Sequence, residues 1–339
     1  MNSESHPASS VAPAVGGLPT IHDDELLYSI VARFGWMTGY PDAASANLDL
    51  FGRAFGHAAS RSPANLDAMA RRLPTNLGFT GRDLALKHTL LPYHCAFLPE
   101  HAEERAIAAA IAERGRKGRP VGAFEKPLNR PRKLRFCPDC IATMIENDYD
   151  LHWKRVHQLA IVVVCPEHGG DLRESEVRPD TRDRSVQPAN LEVCNPSSPP
   201  LIPPGAEVDR EALLNLARDA RTVLGGEYPA GMTRKSGPEY ALLFRDLGYR
   251  RRSRVDWEKI VPALQDAVAM LAPALPGVAT IGSDPMGWFA LSMAPDRPGH
   301  ADRVLIASMV ARRIAALEPR FWAVFDHVTR EPLMTLDAA

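Results

Sequence analysis

The chain reads as mainly α-helical, with one small α+β module of knuckle or ribbon type in the middle and helical modules of helix-turn-helix type at its N- and C-terminal sides. Three observations predict this. Apolar residues recur at helical spacing behind capping residues, as in Leu27, Ile30, Val31 and Phe34. Two short motifs of one form, Cys137-Pro-Asp-Cys140 and Cys165-Pro-Glu-His168, are separated by 24 residues. One run, Ile161-Val-Val-Val, has the continuous β-branched character of a buried strand.

Taken in order, residues 1–19 read as a disordered tail. They lack the charged segment and continuous apolar segment of a secretion signal. Asp23 or Asp24 is expected to cap the first helix, with Gly35 and Gly39 ending it. Shorter helices follow at about 43–55, 63–72 and 82–87, set apart by Gly, Pro and Asn, a density that suits a helix-turn-helix. Residues 88–98 look irregular. A helix is then expected over 99–114, because Glu100, Glu103 and Glu104 come early and the bases late, as the helix dipole favours. These elements make a helical part over 20–125. The knuckle module occupies 126–175, with a short helix after Cys140. Seven prolines between Arg173 and Val208 mark 176–207 as a linker or an extended wrap. A C-terminal helical domain over 208–335 carries helices at 209–224, 239–247, 256–271 and 300–317, the third bent or delayed by Pro262.

Length and charge bound the function. At about 150 residues per domain, 339 residues suggest two or three units. Forty basic against 41 acidic side chains give a formal charge of −1, which excludes a protein that coats nucleic acid over its whole surface. Arg outnumbers Lys 33 to 7, which codon bias explains as readily as phosphate recognition. Positive charge is nevertheless gathered locally. Arg114, Arg116, Lys117, Arg119, Lys126, Arg130, Arg132, Lys133 and Arg135 are opposed only by Glu125. Arg250, Arg251, Arg252 and Arg254 form a second cluster, in a turn between two expected helices. Candidate nucleic-acid contacts are therefore Arg116, Lys117, Arg119, Arg130, Arg132, Lys133, Arg250, Arg251, Arg252 and Arg254. A solvated connector accounts for the first group equally well. Arg312 and Arg313 either add to the second face or complement the end of their helix. No apolar run approaches the roughly 18 residues of a membrane span. Five cysteines in 37.2 kDa argue for a reducing, cytoplasmic setting rather than a disulfide scaffold.

The paired motifs carry the chemistry. Cys137, Cys140, Cys165 and His168 offer three thiolates and one imidazole, a full tetrahedral set for one structural Zn2+ ion. A catalytic zinc keeps a position open for water, and this set leaves none. The alternative, a redox dithiol at Cys137 and Cys140, leaves Cys165-Pro-Glu-His168 unexplained. Asp139 and Glu167 are expected to face solvent. His152 and His157 flank Trp153 and are read either as supports of the metal ligands or as ordinary hydrogen-bonded histidines. His88, His94, Cys95 and His101 have no regular ligand spacing, and Cys95 suits a small buried apolar position. No nucleophile motif, phosphate loop or converging set of carboxylates stands out, so the chain does not read as an enzyme.

Several segments together resemble the TniQ/TnsD family of transposition proteins: Asp24-Glu-Leu-Leu-Tyr-Ser-Ile-Val-Ala-Arg-Phe, His88-Thr-Leu-Leu-Pro-Tyr with Phe97, Arg135-Phe-Cys-Pro-Asp-Cys, Trp153 with His157-Gln-Leu, and Val164-Cys-Pro-Glu-His-Gly. A looser likeness continues through Tyr240-Ala-Leu-Leu, Leu247-Gly248 and Val255-Asp-Trp. The chain departs from the pattern at Ala160, where the family often has proline, and it is shorter than the longer TnsD proteins. The resemblance implies a non-catalytic adaptor that selects a transposition target. Such an adaptor binds a DNA site, or in some systems an RNA-guided CRISPR effector complex, and recruits an AAA+ ATPase that passes the site to the transposase. It implies a bacterial cytoplasmic protein, nucleoid-associated when bound to DNA, with no membrane partner and room for a homodimer. The residues alone fit equally a zinc-stabilised helix-turn-helix transcriptional regulator.

Overall fold

The computed structural model describes residues 16–40, 42–53, 64–98, 100–112, 131–179, 186–229, 232, 250–251, 254–255, 262, 265–266, 269–278, 301–306 and 308–309. It is mainly helical. In chain order come α1 (Leu27–Met37), α2 (Ala43–Phe51), α3 (Leu66–Ala70), α4 (Gly81–His88), α5 (Leu91–Cys95), α6 (Glu100–Ile111), β1 (Arg135–Phe136), α7 (Pro138–Glu146), β2 (Arg173–Glu174), α8 (Arg210–Leu224), β3 (Arg250–Arg251) and β4 (Arg254–Val255). β1 pairs antiparallel with β2, Phe136 opposite Arg173, and β3 pairs antiparallel with β4.

α1 is the joint of the molecule. Leu27, Ile30, Val31 and Phe34 pack into a core with α2, α3, α4 and α6, while Leu26, Tyr28 and Ala32 pack into a second core that holds Trp153, Val162, Val163 and α8. Packing on both sides leaves Leu27 through Gly35 all buried. A Cβ on Gly35 would lie 3.4 Å from that of Ala46, so the small residue permits the close approach of α1 and α2. The helix therefore runs through Gly35 and stops before Gly39, whose φ of +68° suits glycine.

Neither Asp23 nor Asp24 caps α1. The N-cap is Leu26, with no side-chain cap. Asp24 is used at long range: its carbonyl accepts from Arg155 N at 2.8 Å and its carboxylate pairs with Arg155 Nε at 3.1 Å. Leu26 N donates to Trp153 O at 2.8 Å, and Glu25 bridges to Lys154. Residues 24–26 and 153–155 thus form a strap that ties the N-terminal helices to the knuckle module. Two further Arg155 hydrogen bonds, to Leu86 O and Thr89 O, bring in the end of α4.

The other helices follow local chemistry more closely. Asp42 caps α2 by accepting from Ser45 N, and Gly52 closes it at Phe51, short of the expected 55. Thr80 and Asp83 form a reciprocal capping box for α4, which holds the Asp83 carboxyl down at about 2. Residues expected to be irregular contain α5, where Pro92 sits in the first turn and costs no hydrogen bond. Asp209 caps α8, which lays Leu213, Leu216, Ala217, Ala220 and Val223 onto the core. Ile161 to Val164 are buried as expected but form no strand. Arg135 Nη1 takes the carbonyls of Leu159 and Val162, and only Val164 makes a bridge, to Asp171. The Pro-rich stretch lies on the core as a wrap: Ala189, Val193, Cys194 and Ile202 are buried, and Gln187 O accepts from Trp153 Nε1. Of the expected C-terminal helices, 239–247 lies outside the described residues, 256–271 is described only in part, and 301–306 is helical with Asp302 bound to Tyr93 Oη at 2.7 Å.

Two buried histidines make this arrangement acid-sensitive. His88 Nδ1 lies 2.9 Å from Glu25 O, and His152 stacks on His22 with ring centroids 4.5 Å apart. Burial lowers both His88 and His152 to about 4, from an ordinary 6.5. The unfolded chain therefore takes up these protons near 6.5 and the folded chain only near 4, so their contribution is full above 6.5 and falls as the pH drops toward 4. Each histidine is expected to remove about 1.4 kcal/mol of stability per pH unit in that window. Denaturant titrations of wild type and His88→Gln should show their stability difference shrinking by that slope between pH 6 and 4.5. A difference independent of pH would contradict the assignment.

Candidate metal centre

The knuckle module is built so that two turns meet. β1 delivers Cys137 to the N-cap of α7, whose first residue is Pro138, and Cys140 lies one turn on. The helix thus begins at Pro138 rather than after Cys140, because proline is pre-set for that first position. The second arm turns at Cys165, where Gly169 N donates to Cys165 O at 2.8 Å, and Gly169 itself has φ of +72°. Cys165 N donates to Gly170 O, which closes the turn across the bridge of Val164 and Asp171.

Cys137, Cys140 and Cys165 are buried and His168 is exposed, and their ligand atoms all lie within 4.8 Å of one another. The separations fit a four-coordinate ion closely. Bonds of about 2.3 Å to sulfur and 2.0 Å to nitrogen give tetrahedral edges of about 3.8 Å between sulfurs and about 3.6 Å between sulfur and nitrogen. Here Cys140 and Cys165 Sγ are 3.6 Å apart, and His168 Nδ1 lies 3.3, 3.6 and 3.8 Å from Cys140, Cys165 and Cys137 Sγ. Hydrogen bonding couples the three sulfurs: bonds with Cys137 and Cys140 hold the Cys165 thiol well below its usual range, and bonds with Cys137 and Cys165 push Cys140 well above it.

The surroundings brace this centre. Gln158 clamps β1 by bonding Arg135 N and O at 3.0 and 2.9 Å. Asp139 is exposed as expected. Glu167 is exposed too, yet its carboxylate binds Lys154 Nζ at 2.6 Å and lies 3.6 Å from Cys140 Sγ and 3.9 Å from Arg221 of α8. His157, buried, approaches the thiols, whereas His152 is turned away toward His22. Among the described residues, His88, His94, Cys95 and His101 form no ligand group, and Cys95 is fully buried. Every cysteine is free of disulfide bonding.

The basic residues fare unevenly. Arg116, Lys117, Arg119, Arg130, Arg252, Arg312 and Arg313 lie outside the described residues. Arg132 is exposed, and Lys133 Nζ lies 2.9 Å from both carboxylate oxygens of Glu176. Arg135, counted with the basic stretch from its sequence, is buried as a brace for Leu159 and Val162, and desolvation lowers it to about 10. Arg250, Arg251 and Arg254 do not lie in an open turn: they occupy the two strands of the β3–β4 hairpin, with Arg251 opposite Arg254.

A family model described as TniQ matches residues 18–172, a span that runs from the approach to α1 through the second metal-ligand arm. Over 152 residues, 44% of this chain, the sequence is 26% identical to the transposon Tn7 transposition protein TnsD of Escherichia coli. The matched part spans 30% of that protein's length.

Proposed function

We propose, from the match of residues 18–172 to the TniQ family model and the likeness to TnsD, that this chain is a target-selection adaptor for DNA transposition. In this reading it engages target DNA, or a complex already bound there, and recruits an AAA+ ATPase that in turn passes the site to a transposase. The observation that carries it is the coincidence of the family match with one interlocked unit, in which the strap of 153–155 joins the N-terminal helices to the Cys137, Cys140, Cys165 and His168 cluster. We assign that cluster one Zn2+ ion, held by four protein ligands and therefore structural. A closed site suits an adaptor, since it offers no position for water or substrate.

The proposed DNA contacts are Arg116, Lys117, Arg119, Arg130, Arg132 and Lys133 beside the zinc module, and Arg250, Arg251, Arg252 and Arg254 on and between β3 and β4. Affinity for duplex DNA is expected to fall linearly with log salt, with a slope near −0.9 per phosphate neutralised. Reversing Arg250, Arg251 and Arg254 to Glu is expected to abolish binding in a fluorescence-anisotropy titration. Binding as tight as wild type would remove these residues from the interface. Failure of the wild type to retain a co-expressed AAA+ transposition ATPase would overturn the adaptor reading. Weak binding to DNA alone, with co-purification of a CRISPR effector, would assign the chain to the guide-directed class of adaptor.

A further inference from the structure

We infer that His157 is a positioning residue of the metal centre: its Nε2–H donates to the sulfurs of Cys140 and Cys165 and so holds and shields two metal-bound thiolates without itself binding the ion. The inference rests on the metal assignment above. His157 Nε2 lies 3.7 Å from Cys165 Sγ and 3.9 Å from Cys140 Sγ, both within reach of an N–H···S hydrogen bond. It is not one of the four atoms that lie within 4.8 Å of one another, so it stands outside the tetrahedron, along the Cys140 to Cys165 edge.

Charge supplies the reason. Three thiolates and one dication leave a net charge of −1, and three of the four ligands are buried, so the excess lies where water does not solvate it. An imidazole N–H is a donor that offsets such charge without adding a ligand. The position of the ring is over-determined by its neighbours. Arg155 is anchored to Asp24, Leu86 O and Thr89 O, and Gln158 to both polar atoms of the Arg135 backbone and to Lys154 O. His157 stands between these two anchors and is only 2% exposed. His168, by contrast, is the exposed ligand. The buried edge is thus guarded by His157, while His168 is on the exposed side.

The first measurement is metal content of the wild-type chain, which separates the two ideas: a wild type that binds no metal ends the metal assignment itself. With metal bound, cobalt is substituted and the sulfur-to-cobalt charge-transfer band compared in wild type, His157→Phe and His157→Gln. His157→Phe is expected to move the band to lower energy, to weaken cobalt binding about tenfold and to speed alkylation of the metal-loaded cysteines by iodoacetamide by a similar factor. His157→Gln, whose amide N–H reaches the same sulfurs, is expected to restore much of each. An unchanged band and alkylation rate in His157→Phe would overturn the inference. So would a cobalt ligand-field spectrum showing one nitrogen ligand fewer, since His157 would then be a ligand. If His157→Phe does not fold, nitrogen-15 shifts of the cadmium-loaded wild type decide: a protonated Nε2 coupled to cadmium through its hydrogen supports the donor role, and an unprotonated Nε2 overturns it.

Discussion

Stripping the metal with a chelator, or replacing Cys165 with Ser, is expected to unfold residues 134–177 and to lower the melting temperature by well over 10 °C. The module buries Phe136, Ile141, Trp153 and Val162 to Val164 but has little regular secondary structure to hold the two cysteine-bearing turns together. β1 and β2 contribute two residues each and α7 nine. Binding of a structural zinc is linked to folding with an apparent free energy of about 10–16 kcal/mol, comparable to or larger than the whole stability of an ordinary domain, about 5–15 kcal/mol. The loss should spread in one direction more than the other. α8 packs against residues 156–158 of the module as well as against α5, and Arg210 binds Asp171 with two hydrogen bonds of 2.8 and 3.0 Å, so α8 is expected to loosen on its module side. α2, α3, α4 and α6 share a core around Phe34, Leu50 and Met69 that contains no metal ligand, so part of the helical signal should survive. Circular dichroism melts with and without chelator, together with limited proteolysis, check this. Coincident melts, or first cleavage within α2 to α6, would contradict it.

The grouping of Cys137, Cys140, Cys165 and His168 was legible in the sequence because its signal is chemical: two motifs of one form supply three thiols and an imidazole, a set that could hold a metal ion. α8 was legible because Asp209 and the spacing of Leu213, Leu216, Ala220 and Val223 are local facts. What escaped was long-range. Asp24 has the composition of a cap, yet its partner Arg155 is 131 residues away. Ile161 to Val164 have the composition of a strand, but Arg135, a residue that looks like part of a basic surface, reaches in to take the carbonyls of Leu159 and Val162. α5 lies in a segment that looks irregular, because the place of Pro92 in the first turn depends on where that turn starts. The nearness of His157 to Cys140 and Cys165 follows from the clamp of Gln158 on β1, which no local spacing encodes.

The second large effect is expected from Arg33→Met. Arg33 is 4% exposed and Glu25 wholly buried, and Arg33 Nη1 lies 3.0 Å from both Glu25 oxygens. The other guanidinium nitrogen pairs with Asp150, at the head of the strap, and Thr20 O accepts from Nη1 at 2.8 Å. Glu25 also accepts from Ser29 Oγ and His22 N. Removing the guanidinium leaves a buried carboxylate with neutral donors only, at a cost of about 3–5 kcal/mol in denaturant unfolding. Neutralising that carboxylate in the same molecule should recover part of the loss: Arg33→Met with Glu25→Gln is expected to be more stable than the sum of the two single changes by about 1–3 kcal/mol. Strictly additive costs would mean that the two side chains do not act as a pair. Because this pair holds the strap that continues through Trp153 and Arg155 to His157, the single variant should also surrender its metal to a chelator faster than wild type. A release rate equal to wild type would confine the pair to local stability and separate the N-terminal helices from the metal centre.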